Sequence, residues 1–168
     1  GGWHSLPLSE QPAAPAPRYV VVPREAREVF RTVKVENPLQ APLLAGQVDV
    51  YVDGDYLMTS PLETTPVGGA FVLGLGVEQA IKCARNTRYQ EETAGLLRGT
   101  MELRHEIHVE LESHLPAPAL VEVRERLPVS REGDDDIKVE TTAVEPPWKK
   151  LEIEGRAPVE GAHRWEIT

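Results

Sequence analysis

The chain has 168 residues and a mass of 18.6 kDa, enough for about one to one and a half ordinary domains and for a core that needs no disulfide or metal. Hydrophobic residues make up 40% and aromatics 5%, and 13 Gly and 15 Pro are spread along the sequence, a composition that reads as globular and turn-rich. Against 18 Lys and Arg stand 27 Asp and Glu, a formal charge of -9 that repels a phosphate backbone, so nucleic acid is not an expected partner.

No apolar run approaches the roughly 20 residues that cross a bilayer, and residues 1 to 15 carry neither a basic start nor an apolar stretch, so no membrane insertion is expected. Pro12, Pro15 and Pro17 cannot lie in a central strand, because proline donates nothing to a ladder; residues 7 to 17 read as a loop strapping a sheet edge. Tyr19 to Val22, stopped by Pro23, is the first expected strand. Val29, Arg31, Val33 and Val35 then alternate with Phe30, Thr32 and Lys34, and Asn37-Pro38 ends that run with a turn signal.

Asp53-Gly54-Asp55 between two apolar-polar segments predicts a tight hairpin that pairs residues 47 to 52 with 56 to 60, since glycine accepts the positive φ of a primed turn. Further strands are expected at 71 to 76 and 81 to 85. Glu91 to Arg98 contains helix formers but is interrupted by Gly95 and followed by Gly99, and reads as a loop.

The clearest alternation runs from Met101 to Glu112. Met101, Leu103, Ile107, Val109 and Leu111 share one parity; Glu102, Arg104, Glu106, His108, Glu110 and Glu112 share the other, the pattern of a half-buried strand. After Leu115-Pro116-Ala117-Pro118 the alternation resumes at Val121, Val123 and Leu127, which predicts a long antiparallel hairpin over 99 to 128 with the acidic row beside Arg124 and Arg126. Late strands are expected at 137 to 142, 148 to 153 and 164 to 167.

Many short strands, frequent turns and little or no helix predict an all-β fold, an antiparallel β-sandwich, immunoglobulin-like or similar, with a long β-hairpin. One module over 1–168, a fragment of a larger protein, is the expected organisation. Two β-subdomains, 1–90 and 99–168, are the alternative, because residues 99 to 168 hold 9 basic and 16 acidic residues against 9 and 11 before them.

Chemistry-bearing residue types are present without a recognisable constellation. Cys83, the single cysteine, reads as a small buried hydrophobe. His105 and His108 have opposite strand parity and so cannot share a metal without a bulge. Asp49, Asp53 and Asp55, and separately Asp134-Asp135-Asp136, resemble calcium loops in composition but not in ligand spacing, and read as turn chemistry and a solvated loop. The row Glu102 to Glu112 places same-face carboxylates roughly 6.5 to 7 Å apart, yet a regular row on a ribbon gives its acids no unequal environments and reads as a solvent face. No serine elbow, phosphate loop or dinucleotide glycine motif occurs. No cofactor, metal or catalytic residue is therefore expected. Trp148 and Trp165, set among charges, are either core aromatics or interface anchors.

Val33-Lys34-Val35-Glu36-Asn37-Pro38, Pro42-Leu43-Leu44-Ala45-Gly46-Gln47-Val48, Val50-Tyr51-Val52-Asp53-Gly54-Asp55-Tyr56 and Leu73-Gly74-Leu75-Gly76 occur in this order, followed by Val123-Arg124-Glu125-Arg126-Leu127-Pro128-Val129-Ser130 and Ile137-Lys138-Val139. Together they resemble the C-terminal domain of the mucoidy inhibitor A family, a domain of unknown function. The resemblance covers most of the chain and implies a bacterial protein, cytoplasmic or periplasmic, in which an N-terminal β-domain and a coiled coil precede this module. Nothing here corresponds to those parts, and a further strand is expected after Thr168, so an edge at 164 to 167 would want a partner. The expected function is a non-enzymatic interaction or scaffolding module that binds a protein partner or itself. Glu102, Arg104, Glu106, His108, Glu110, Trp148 and Trp165 are the candidate contact residues. A carbohydrate- or exopolysaccharide-binding or -processing module is the alternative, its test being aromatics coplanar in a surface groove.

Overall fold

A computed structural model of the chain describes residues 9–94, 100–130, 137–153 and 156–168. The described residues are all-β, with ten strands: β1 (Ala16–Val21), β2 (Phe30–Glu36), β3 (Gly46–Val52), β4 (Asp55–Leu62), β5 (Ala70–Val77), β6 (Ile81–Ala94), β7 (Thr100–Ser113), β8 (Val121–Arg126), β9 (Lys149–Lys150) and β10 (Ala162–Ile167). They fall into two compact units, one of residues 1–18 and 30–76, the other of residues 19–29 and 77–168.

The first unit contains β2, β5 and the β3–β4 hairpin. Asp53 and Gly54 adopt φ of 53° and 90°, the pair of positive values a type I′ turn needs, so the Asp-Gly signal and the pairing of 47–52 with the following strand are as the sequence predicts. Every second residue of β2 turns inward, and Val33 meets Val50 and Leu73 in a core flanked by Val35, Met58, Phe71 and Leu75. Asn37, at the end of β2, is buried and holds the adjoining loops by its side chain. Its Nδ2 donates to the Ala41, Thr65 and Pro66 carbonyls at 3.0, 3.3 and 3.1 Å, and its Oδ1 accepts from the Leu39 amide at 3.0 Å.

In the second unit Tyr19–Val21 of β1 run parallel to Val121–Val123 of β8, and β10 pairs antiparallel with the whole of β8. A central strand is covered on both edges, and β8 is accordingly buried at Val121, Glu122, Val123 and Glu125. Val21, Val29, Ile81, Cys83, Val121 and Val123 form the core of this unit, with Trp165, Ile167, Val109 and Leu111 packed on it.

The long hairpin exists, but between different strands from those expected: β7 pairs over its full fourteen residues with β6, not with 121 to 127. Pro116 and Pro118 stop the chain from turning straight back, so β8 joins β1 and β10 instead. The basic partners of the acidic row come from β6, which sets Lys82 opposite Glu112 and Arg88 opposite Glu106. Residues 91 to 94, expected in a loop, complete β6; residues 95–98 lie outside the described residues.

The strand expected at 137 to 142 is absent. Its alternating Ile137 and Val139 are 60% and 41% exposed, and with no apolar surface against which to bury, alternation alone does not make a strand. Of 148 to 153 only Lys149–Lys150 is strand. β10 is covered by β8 along its length on one edge and by β9 at His163 and Arg164 on the other.

Candidate interaction surface

Three features of the second unit carry side chains that could meet a ligand: an aromatic corner, an open groove and the distal half of the β6–β7 hairpin.

At the aromatic corner Trp148 stacks on His163, ring centroids 3.9 Å apart and 5° from parallel, and lies 5.2 Å from Trp165. The Trp165 indole N–H donates to the Pro146 carbonyl at 2.6 Å while its ring packs on the core. Burial, and next the nearby Lys150 ammonium, hold the His163 imidazole below its usual range and so favour the neutral ring under its tryptophan. Trp165 is thus a core aromatic with a satisfied N–H, and Trp148 covers it.

The groove has a volume of about 630 Å³ and is lined mainly by Val22, Leu127, Val129, Leu151 and Val159, with Arg24, Glu25, Arg126 and Glu125 at its polar side. Next to the lining residue Ala162, Gly161 at φ +73° passes close to the Leu127 carbonyl; a Cβ there would lie 2.5 Å from that oxygen. Glu125 is not free for chemistry. Its side chain is 1% exposed and accepts from Arg85 Nε at 2.8 Å and from the Arg126 amide at 3.1 Å. On the opposite face of β8, Glu122 accepts from Arg124 at 2.6 Å and Arg164 at 3.3 Å. Both buried carboxylates therefore serve as structural acceptors for arginines that tie β6 and β10 to β8.

The hairpin changes character along its length. At its base, the face with Ile81, Cys83, Val109 and Leu111 is core, and burial raises the Cys83 thiol pKa, with the Arg27 charge opposing it. Farther out the same face continues as Tyr89, Leu103 and Met101, which are 72%, 52% and 65% exposed. Met101 and Leu103, expected on the buried side of the strand, are thus on an open apolar face; Tyr89 and His105 lie side by side on it, ring centroids 6.2 Å apart.

The other face carries Glu102, Arg104, Glu106, His108 and Glu110, all exposed. Arg104 reaches Glu102 at 3.5 Å and His108 reaches Glu106 at 3.1 Å, surface pairs worth little to folding. His105 and His108 sit on opposite faces, as their parity requires. Sequence reasoning missed Tyr89, because the outer half of β6 alternates polar residues with polar residues and gives no hydropathy signal.

Elsewhere, Asp49 of the expected oxygen-rich turn accepts from Thr59 at 2.6 Å, while Asp134 to Asp136 lie outside the described residues. Tyr51 and Tyr56 of the first unit meet edge to face at 71°, so they offer no common plane to a sugar ring.

Fold and surface together define an all-β chain in which a long two-stranded ribbon combines an apolar face with a charged one. No protein-family model matches the chain, and no solved structure matches it. It is similar to Protein F37C4.5 of Caenorhabditis elegans, 28% identical over 121 residues that make up 71% of this chain and 21% of that protein. The chain thus spans about a fifth of the length of this curated relative.

Proposed function

We propose that the chain is a non-enzymatic interaction or scaffolding module of a larger protein and that the distal half of the β6–β7 hairpin is its contact surface. The observation that carries this reading is the run of Tyr89, Met101 and Leu103, each more than half exposed, on one face of a regular ribbon. An apolar face outside the core contributes nothing to folding by burial, and on a soluble module it gains free energy only when a partner covers it. The charged face then gives the contact orientation and specificity, since matched charges steer and register more than they tighten. The motif resemblance to the mucoidy inhibitor A family supports the module reading, because in such proteins this domain is one part of a longer chain.

The test is a photo-crosslinking amino acid placed at Leu103 of the protein in its own cells, with Val72, a residue of similar exposure in the first unit, as control. Covalent adducts to polypeptide, with the same chain or another, are expected at 103 and not at 72. Equal labelling at both positions, or no adduct at 103, overturns the proposal.

A further inference from the structure

The ribbon of β6 and β7 is a two-stranded sheet, so both of its long edges are open among the described residues. Which backbone groups face the β7 edge follows from one hydrogen bond. The His114 amide donates to the Ala80 carbonyl at 2.8 Å, in step with the Ile81–Ser113 register. Hydrogen-bonded pairs recur at every second residue of an antiparallel ladder. The even-numbered residues of β7 therefore direct their N–H and C=O toward β6, and the odd-numbered ones from Met101 to Val109 direct theirs outward. Three usual guards of an edge are missing, since β7 has no proline or lysine and its register with β6 is unbroken by a bulge; the charges it does carry, Glu102, Arg104, Glu106, Glu110 and Glu112, are of both signs.

We infer that this edge is completed by the same edge of a second copy of the chain, paired antiparallel about a two-fold axis at His105. The inference rests on the hairpin being the contact surface. Pleat and hydrogen-bond direction require odd residues to face odd ones, which leaves few registers. Centred on His105, the pairing sets Arg104 against Glu106 of the second copy and Glu102 against His108, each twice by symmetry. On the other face Leu103 meets Ile107 and Met101 meets Val109, so the exposed apolar residues gain apolar partners.

The neighbouring registers fail on charge or on apolar pairing. Centring on Arg104 opposes that residue to itself and Glu102 to Glu106; centring on Glu106 opposes it to itself and Glu102 to Glu110. A centre at Ile107 sets Arg104 against Glu110 but opposes Glu102 to Glu112, and one at Leu103 sets Glu102 against Arg104 but Met101 against His105, and pairs only residues 100 to 106. Of these five registers the one centred on His105 alone opposes no like charges and gives both Met101 and Leu103 apolar partners, and that self-complementarity selects a second copy as the occupant.

The experiment is sedimentation equilibrium of the 168-residue chain over a concentration series, with circular dichroism to confirm folding. A reversible dimer is expected. Arg104→Glu converts two attractive pairs into two repulsive ones and is expected to weaken it roughly tenfold or more. The double variant R104E/E106R restores opposite charges across the axis in this register without opposing any like charges, whereas centred on position 104 it would still oppose residue 104 to itself, and it is expected to return the dimer to within about threefold of wild type. A second, independent readout is covalent: facing residues of a hydrogen-bonded antiparallel pair have Cα atoms about 5.5 Å apart, within disulfide reach. His105→Cys is therefore expected to form a disulfide-linked dimer under mild oxidation, and Met101→Cys is not.

A dimer indifferent to R104E, an unrescued double variant that is folded, or equal disulfide formation at 101 and 105 overturns the pairing. A wild-type chain that stays monomeric overturns it too. In that case an adduct from position 103 to a different polypeptide leaves the module reading standing, whereas no adduct at all removes both.

Discussion

Arg85 and Glu125 join the base of the hairpin to the central strand of the second unit, and replacing Arg85 by methionine isolates what that junction contributes. The Glu125 side chain is 1% exposed and Arg85 20%, with Nε to Oε2 at 2.8 Å. A hydrogen bond to a charged group is worth about 1.5–3 kcal/mol, and removing one partner of a buried pair costs about 3–5 kcal/mol, because the remaining charge stays desolvated. Arg85 lies partly in water, which reaches the vacated site and lowers the penalty, so about 2–3 kcal/mol is expected for Arg85→Met. Methionine keeps the apolar stem, so the loss reports charge and not packing. The double variant R85M/E125M removes the stranded carboxylate and is expected to be more stable than R85M alone. The assay is urea unfolding followed by the fluorescence of Trp148 and Trp165 in a Trp3→Phe background. A single variant within about 0.5 kcal/mol of wild type, or a double variant whose losses simply add, would refute the assignment of Glu125 as a buried carboxylate dependent on Arg85.

Four further outcomes follow from the same structure. Gly161→Ala forces a Cβ to 2.5 Å from the Leu127 carbonyl at a φ of +73°, and is expected to cost about 1–3 kcal/mol in urea unfolding, whereas Gly46→Ala, with open space around its Cβ, is expected to cost far less. Asn37→Ala removes the amide that holds three carbonyls in the first unit and is expected to lower its stability by about 1–3 kcal/mol. His163 has a folded pKa below the unfolded value of 6.5, so the unfolded chain binds the extra proton first as pH falls. Stability from this group is complete above 6.5, declines as pH drops below it and levels off below the folded pKa; melting temperatures across that window are expected to decline less in His163→Phe than in wild type. Tyr89→Ser, Met101→Ser and Leu103→Ser are each expected to leave the melting temperature nearly unchanged at concentrations where the chain is monomeric, since none of these side chains is in the core.

What the sequence made legible follows from where burial was local. The Asp53-Gly54 turn, the alternation of β2 and the strand at 164 to 167 were readable because each element faces a core on one side and a turn fixes its end. The partner of β7 was not readable: hydropathy pattern states which face is apolar, not which strand lies alongside, and the polar outer half of β6 hid the natural partner. The open face at Met101 and Leu103 was misread for the same reason in reverse, since a periodic apolar row looks alike whether a core or a partner covers it. Ile137 and Val139 show the converse error, alternation without a surface to meet. The candidate residues Glu102 to Glu110 lie together on one ribbon face, while Trp148 and Trp165 form a separate corner on the core of the second unit. Charge pattern and parity placed the first group; nothing in the sequence indicated that Trp165 gives its N–H to Pro146.

The central claim is that the outer hairpin face binds and does not fold. The most direct measurement combines both halves in one protein carrying Tyr89→Ser, Met101→Ser and Leu103→Ser: urea unfolding of the purified chain at a concentration where the wild type is monomeric, and adduct formation from a photo-crosslinking residue at Ile107 in cells. The account predicts an unfolding free energy within about 1 kcal/mol of wild type together with loss of polypeptide adducts. A variant that loses several kcal/mol, or one that retains its adducts at wild-type yield, contradicts it.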